Sequence, residues 1–182
     1  MEKNVFYNNM KSRRGFSLLE LLLVLGVIAV LVVAAFIVYP KVQVSQRIQT
    51  EIRNILTIQN GIRELYISQA NSSDNMVRTE AVIAAKIFPE DMLNNHFKFP
   101  TNLFGGRVSV GKSFAFFEIQ YEQVPEHDCV KIITGIYNNF ERIDINNTTV
   151  KYPTNDRVLD VETITKECDS GKRNKINFMF II

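Results

Sequence analysis

Gly15-Phe16-Ser17-Leu18-Leu19-Glu20 runs directly into LLLVLGVIAVLVVAAFIVYP at residues 21–40, and this stretch decides how the chain reads. Residues 21–40 carry no charge. About 20 apolar residues, at 1.5 Å rise each, match the ~30 Å hydrocarbon core of a bilayer. Lys11, Arg13 and Arg14 stand just before the run. Basic residues stay on the cytoplasmic side, so the chain after Pro40 is expected to face outward. Glu20 lies five residues after Gly15, at the edge of the apolar stretch. An acidic side chain costs about 2.5–3.5 kcal/mol at mid-bilayer and less near the interface. Such a residue persists where it finds a partner.

Three readings of this segment compete. An ordinary secretory signal peptide fits, because Val33-Ala34-Ala35 is a passable cleavage site that would leave Phe36 first. A simple bitopic anchor fits as well. Neither predicts a glycine after a basic cluster with a glutamate at a set distance from it. RRGFSLLELLLVLGVIAVL at residues 13–31 resembles the class III signal segment of type IV prepilins and of type II secretion pseudopilins. The resemblance implies that a prepilin peptidase cuts between Gly15 and Phe16 and that the new Phe16 amine is N-methylated. Glu20 is then the fifth residue of the mature chain. The cut lies before the apolar run, so the run stays attached. Staggered packing of such helices brings Glu20 of one subunit to the Phe16 amine of the next, and a buried carboxylate needs such a partner. Many pilins carry a proline inside this helix. Here the nearby proline is Pro40, at the outer end, where a kink or local melting is expected; Gly26 is a second weak point.

The 182 residues, 46% hydrophobic, support one domain plus a protruding element. The formal charge is +2 overall and +3 in the first fifteen residues, so −1 remains beyond them. Removing the leader removes the basic excess, and nucleic acid is not an expected partner. Cys129 and Cys168 are the two cysteines. They are free thiols or a bridge according to compartment.

Beyond Pro40 the helix is expected to continue, giving one helix over residues 16–69. Ile48, Ile52, Ile55, Gln59, Ile62 and Tyr66 form a stripe at three-four spacing, with Arg47, Glu51, Arg53 and Glu64 largely off it. Ala70-Asn71-Ser72-Ser73-Asp74-Asn75 ends it with turn-forming residues. A short helix is expected over residues 79–86. Residues 107–110 and 114–121 read as strands with a tight turn at Gly111-Lys112-Ser113. Residues 125–140 read as a helix, Pro125 in its first turn, with Val130, Ile133, Ile136 and Tyr137 on one side. Glu126 and Asp128 near its start suit the helix dipole. Residues 156–168 read as a helix or irregular segment. Residues 175–182 read as a buried strand that needs neighbours on both edges, because exposed it would aggregate.

Phe99-Pro100-Thr101-Asn102-Leu103-Phe104-Gly105-Gly106-Arg107-Val108, with Ile119-Gln120-Tyr121 and Val124-Pro125 leading to Cys129, resembles the type IVb pilins, the group of the toxin-coregulated pilus pilin and plasmid thin-pilus pilins. The fifteen-residue leader and Phe16 are closer to type IVa habit. The resemblance implies an α+β fold: a long N-terminal helix with its outer half packed on an antiparallel sheet, and a disulfide-closed C-terminal region. Cys129 and Cys168 would form that bridge, closing about 40 residues, an effect on the order of 4 kcal/mol.

Several residues invite chemical readings that the pattern does not sustain. His127-Asp128-Cys129 suggests a metal or nucleophile site, but adjacent helical residues do not share a face, and His96 is the other histidine. No catalytic residue, metal ligand or cofactor is expected. Gly105-Gly106-Arg107 with Gly111-Lys112-Ser113 invites a phosphate loop, set aside because the approach reads as strand and no helix follows. Asn71-Ser72-Ser73, Asn146-Asn147-Thr148 and Asn147-Thr148-Thr149 match the glycosylation pattern, which chance also produces. Lys172, Arg173 and Lys175 read as a solvated loop rather than a surface for DNA or anionic glycans.

The expected organisation is a leader at 1–15, a transmembrane and polymerisation helix at 16–40, and a pilin domain at 41–182. That domain divides into an outer helix at 41–69, an αβ-loop at 70–106, and the sheet and C-terminal region at 107–182. The resemblance implies the major subunit of a type IV pilus, held in the inner membrane with its body in the periplasm, then polymerised with its own copies into an extracellular filament. Prepilin peptidase, an assembly ATPase and the membrane assembly platform are its implied partners. A minor pilin or type II pseudopilin is the first alternative. A membrane-anchored binding domain that never polymerises is the second.

Overall fold

A computed structural model describes residues 17–68, 77–93, 98–113, 116–153 and 159–182. The chain falls into two compact units, Met1–Gln43 and Val44–Ile182. Helix α1 runs without interruption from Leu18 to Ser68, through Gly26 and Pro40, so the expected local melting at Pro40 is not found. Proline removes one backbone donor and leaves the other hydrogen bonds of that turn in place.

The second unit holds a five-stranded sheet, all of whose neighbours are antiparallel. Its strands are β1 (Val108–Ser113), β2 (Phe116–Pro125), β3 (Arg142–Ile145), β4 (Thr148–Lys151) and β5 (Arg173–Phe180), in spatial order β1-β2-β5-β3-β4. As expected, the apolar strand near the C-terminus is covered on both edges, by β2 and β3. Its alternate residues Asn174, Ile176, Phe178 and Phe180 are buried. Phe178 and Phe180 meet Phe117, Tyr121 and Phe140 in a ring cluster, with Phe140 and Phe178 centroids 5.1 Å apart. Gly111-Lys112-Ser113 is not the hairpin turn but the end of β1. Ser113 pairs with Phe116, and Lys112 Nζ lies 5.1 Å from the Tyr66 ring centroid. Residues 114–115 lie outside the described residues.

Ile48, Ile55, Ile58 and Ile62 of α1 are buried in the core with the inner face of the sheet. Each contributes about 2 kcal/mol by the area it removes from water. The stripe differs from the expected one at a decisive place. Its centre runs 48-51-55-58-62, so Glu51 is fully buried while Ile52 is only half-buried. The apolar letter at 52 drew the reading one residue off the axis.

Helix α2 (Thr79–Ala84) is pinned to β1 by Thr79 Oγ1, which donates to Val110 O at 3.2 Å and accepts from Val110 N at 3.0 Å. Helix α3 (Glu126–Ile136) starts after Pro125 and ends in a 3-10 turn, Tyr137–Asn139. Ile132, not Val130, completes its buried face. Helix α4 (Val161–Asp169) is capped by Asp160, whose side chain accepts from Thr163 N at 3.1 Å. Residues 70–75, expected to end the long helix, lie outside the described residues, as do residues 156–158.

Candidate functional site

In the first unit, Leu18–Phe36 is a 19-residue helical span of mean hydropathy 3.0, and none of it is buried. Leu18, Leu22, Val30 and Phe36 are among its exposed apolar side chains. Such a surface is covered by lipid or by other apolar helices. Glu20 lies in the first turn of α1 and is exposed, the one acidic residue of the span. The sequence-assigned cut between Gly15 and Phe16 lies outside the described residues.

In the second unit, the side chains that sequence reasoning missed form a polar chain that is buried at Glu51, Asn54 and Asp128 and reaches solvent at Arg47 and Asp91. Arg47 forms an ion pair with Asp128 of α3, and its guanidinium lies 5.0 Å from the Phe104 ring centroid. One turn later, Glu51 Oε1 accepts from Leu103 N–H. The Tyr121 hydroxyl sits beside the same carboxylate without a hydrogen bond of normal geometry. Asn54 Nδ2 donates to Asp91 Oδ2 at 3.3 Å. Burial pushes the Glu51 carboxyl up to about 7, aided by Asp91 and opposed by Leu103 N–H, Tyr121 and Arg47. Burial, then Glu51, pushes the Tyr121 phenol well up. The native chain therefore holds a proton at Glu51 that the unfolded chain releases between pH 4.5 and about 7. This contribution to stability is full below about 4.5 and lost as pH rises through about 7. It is on the order of 3 kcal/mol. The signal in the sequence was periodicity: Glu51 is three residues after Ile48 and four before Ile55.

The turn that meets Glu51 is held by its own residues. Asn102 Oδ1 accepts from Phe104 N at 3.0 Å and Gly106 N at 2.8 Å, while Asn102 Nδ2 donates to Glu122 O at 2.8 Å. Gly105 takes φ +77°, a region glycine enters without a Cβ penalty. Gly106 stands five residues before Gly111 and so completes the letters of a phosphate loop. β1 runs through those letters, and the next element is β2, so the nest of free N–H groups before a helix is not built.

Cys129 of α3 and Cys168 of α4 are joined in a disulfide, both buried, with Cα atoms 5.9 Å apart. Asn146 Nδ2 donates to Asn174 Oδ1 at 2.7 Å and Asn174 Nδ2 to Cys168 O at 2.9 Å, which ties the α4 end to the sheet. Replacing both cysteines by serine is expected to cost about 4 kcal/mol. That lowers the unfolding midpoint by about 10 °C for a domain of this size, with α4 loosening first. Thermal unfolding of the purified chain with and without reductant checks the value.

The remaining chemical-looking residues do not converge. His127 is exposed, Asp128 is buried on Arg47, and Cys129 is bridged. His96 and Asn71-Ser72-Ser73 lie outside the described residues. Among the described residues no three His, Cys, Asp or Glu side chains gather as a metal site. Asn146 is engaged by Asn174 and by Lys175 N, whereas Asn147 is exposed. Arg173 Nη1 donates to Gln123 O at 3.1 Å, and Lys172 and Lys175 are exposed.

The prokaryotic N-terminal methylation motif matches residues 10–36, and the family described as PilS N terminal matches residues 45–180. The chain belongs to the PilS N-terminal family of type IV pilins. The pilin also shares its fold with a crystal structure of TcpA, a type IV pilin from Vibrio cholerae El Tor biotype. The two are 13% identical with a TM-score of 0.53, over 74% of this chain and 98% of that one. No curated protein sequence matches. The N-terminal apolar helix, antiparallel sheet and C-terminal disulfide are those expected from the pilin resemblance. The family and fold are structural rather than enzymatic, and the motif and helix fit a membrane-anchored precursor of a surface pilus.

Proposed function

We propose that this pilin is the major structural subunit of a surface type IV pilus. The observation that carries this reading is the fully exposed apolar span Leu18–Phe36 with the single carboxylate Glu20 at its start. Prepilin peptidase removes residues 1–15 between Gly15 and Phe16, and the Phe16 amine is methylated. The segment at 16–40 holds the precursor in the inner membrane, with the body at 41–182 in the periplasm. The assembly platform then draws the subunit into the filament, where apolar burial between neighbouring copies drives growth. Glu20 sets the register by pairing with the Phe16 amine of an adjacent copy.

The test is the N-terminus of protein sheared from the cell surface. A methylated start at Phe16 in the dominant protein of the fibres is the expected result. A start at Phe36 means an ordinary signal peptide. Retention of residues 1–15 means an anchored domain that does not polymerise. Correct processing with only traces in the sheared fibres identifies a minor pilin or pseudopilin instead.

A further inference from the structure

Arg47 Nε, Glu51 Oε2, Tyr121 OH and Asp128 Oδ1 are buried without a hydrogen-bond partner, and they belong to one connected chain of side chains. The charged and titratable groups facing Glu51 are Arg47 from α1, Asp91 from the 3-10 turn after α2, and Tyr121 from β2. Asp128 of α3 acts on it through Arg47. Arg47 is the sole cation among them and is already committed to Asp128. An ionised Glu51 is therefore poorly compensated, and water is its remaining source of solvation. What covers it is the turn at residues 102–106, through Leu103 N–H. That turn is closed on itself by Asn102, with Asn102 N donating to Gly106 O at 2.9 Å, and its opening also breaks the Asn102 Nδ2 bond to Glu122 O. It presents Leu103 at the surface, 46% exposed, and half-buries Phe104 under Arg47.

We propose that Glu51 is a proton-operated latch on this turn: neutral, it seats residues 102–106 against α1, and ionised, it lifts them to reach water. The surface that the pilin body presents at Leu103 and Phe104 then depends on pH. The turn is tightest at the acid end and loosens toward neutrality. Opening moves the carboxyl toward its ordinary value of 4.5, so each opened copy releases a proton that the closed copy holds.

Amide hydrogen exchange of Leu103 and Phe104 tests this, in the full chain in detergent micelles, with each rate corrected for its intrinsic pH dependence. The opening constant is expected to rise about tenfold per pH unit from roughly 4.5 to 7 and then level off. Ile176 and Phe178 in the central strand open only with global unfolding, so at every pH their opening constants should stay far below those of Leu103 and Phe104. Glu51→Gln keeps an acceptor for Leu103 N–H and cannot ionise, so its opening should be flat with pH. A flat wild-type profile, or an equal rise in Glu51→Gln, overturns the latch. If Glu51→Gln does not fold, the carbon chemical shift of the Glu51 carboxyl in the wild type decides. A midpoint near 7 supports the proposal and one near 4.5 sinks it.

Discussion

Glu20→Ala is expected to leave membrane insertion and cleavage after Gly15 intact while filaments disappear from the cell surface. The substitution makes the span Leu18–Phe36 more apolar, so insertion into lipid is not weakened. The proposed cut lies on the other side of Phe16, away from the side chain removed. Growth is different, because in the proposed filament each added copy must place a free amine within apolar helices. Without the carboxylate that amine is an uncompensated buried charge. Removing one partner of such a pair shifts an equilibrium by a factor on the order of 100 or more. Glu20→Gln should fail almost as badly, since it hydrogen-bonds but does not neutralise. The measurement is the amount of pilin in sheared fibres against the amount correctly processed in membranes. Wild-type fibre yield from Glu20→Ala would show that register is set by helix packing alone.

Gly106→Ala is expected to destabilise the body by about 3 kcal/mol or more, at the upper end of what overpacking does. A Cβ there would lie 1.8 Å from Glu122 O and 2.8 Å from Gln123 Cβ. The obstacle is backbone, so it cannot rotate away. It belongs to the bulge of β2, where pairing with β5 shifts register between Tyr121 and Val124 and Gln123 takes φ 61°. The bulge and the turn at 102–106 are thus fitted to each other, and the Asn102 Nδ2 bond to Glu122 O crosses the same contact. Two neighbours serve as controls. Gly105→Ala meets no atom within 4 Å but must adopt φ +77°, a cost of about 1–2 kcal/mol. Gly111→Ala, also with no atom within 4 Å and inside β1, should be near neutral. Urea unfolding of the three variants should rank them in that order. Equal midpoints for Gly106→Ala and Gly111→Ala would mean that the bulge yields freely.

The long helix, the central apolar strand and the helix after Pro125 were legible because each rests on a strong periodic signal or a run of apolar letters. The β3–β4 hairpin was not. Its strands are four residues each, and their turn is Asn146-Asn147, read only as a glycosylation pattern. Both asparagines take positive φ, 49° and 74°, the backbone that a two-residue hairpin turn needs. Asn-Gly would have announced that turn; two asparagines do so weakly. Lys151 was equally silent. It ends β4 with its amine buried, donating to Tyr137 O at 2.6 Å and Phe140 O at 2.5 Å, which satisfies the carbonyls left by the 3-10 turn. A lysine at a strand end ordinarily points to water, and only the fold places those carbonyls beneath it. Glu51 illustrates the same limit. Its position on the stripe was visible, but a charged letter outweighed the spacing.

The order of the strands in space also sets an order in time. β5 is the latest strand in the chain, yet it stands in the middle of the sheet and is what joins the β1-β2 ladder to the β3-β4 ladder. β2 meets it across a long stretch of intervening chain, with Phe117 pairing 63 positions away with Phe180 and Val124 pairing 50 positions away with Asn174. Until β5 arrives, the two ladders share no strand pairing. Closing such distant contacts is slow. In the export proposed above, the chain crosses the membrane with its core open and becomes a finished building block only after Phe180 has passed through.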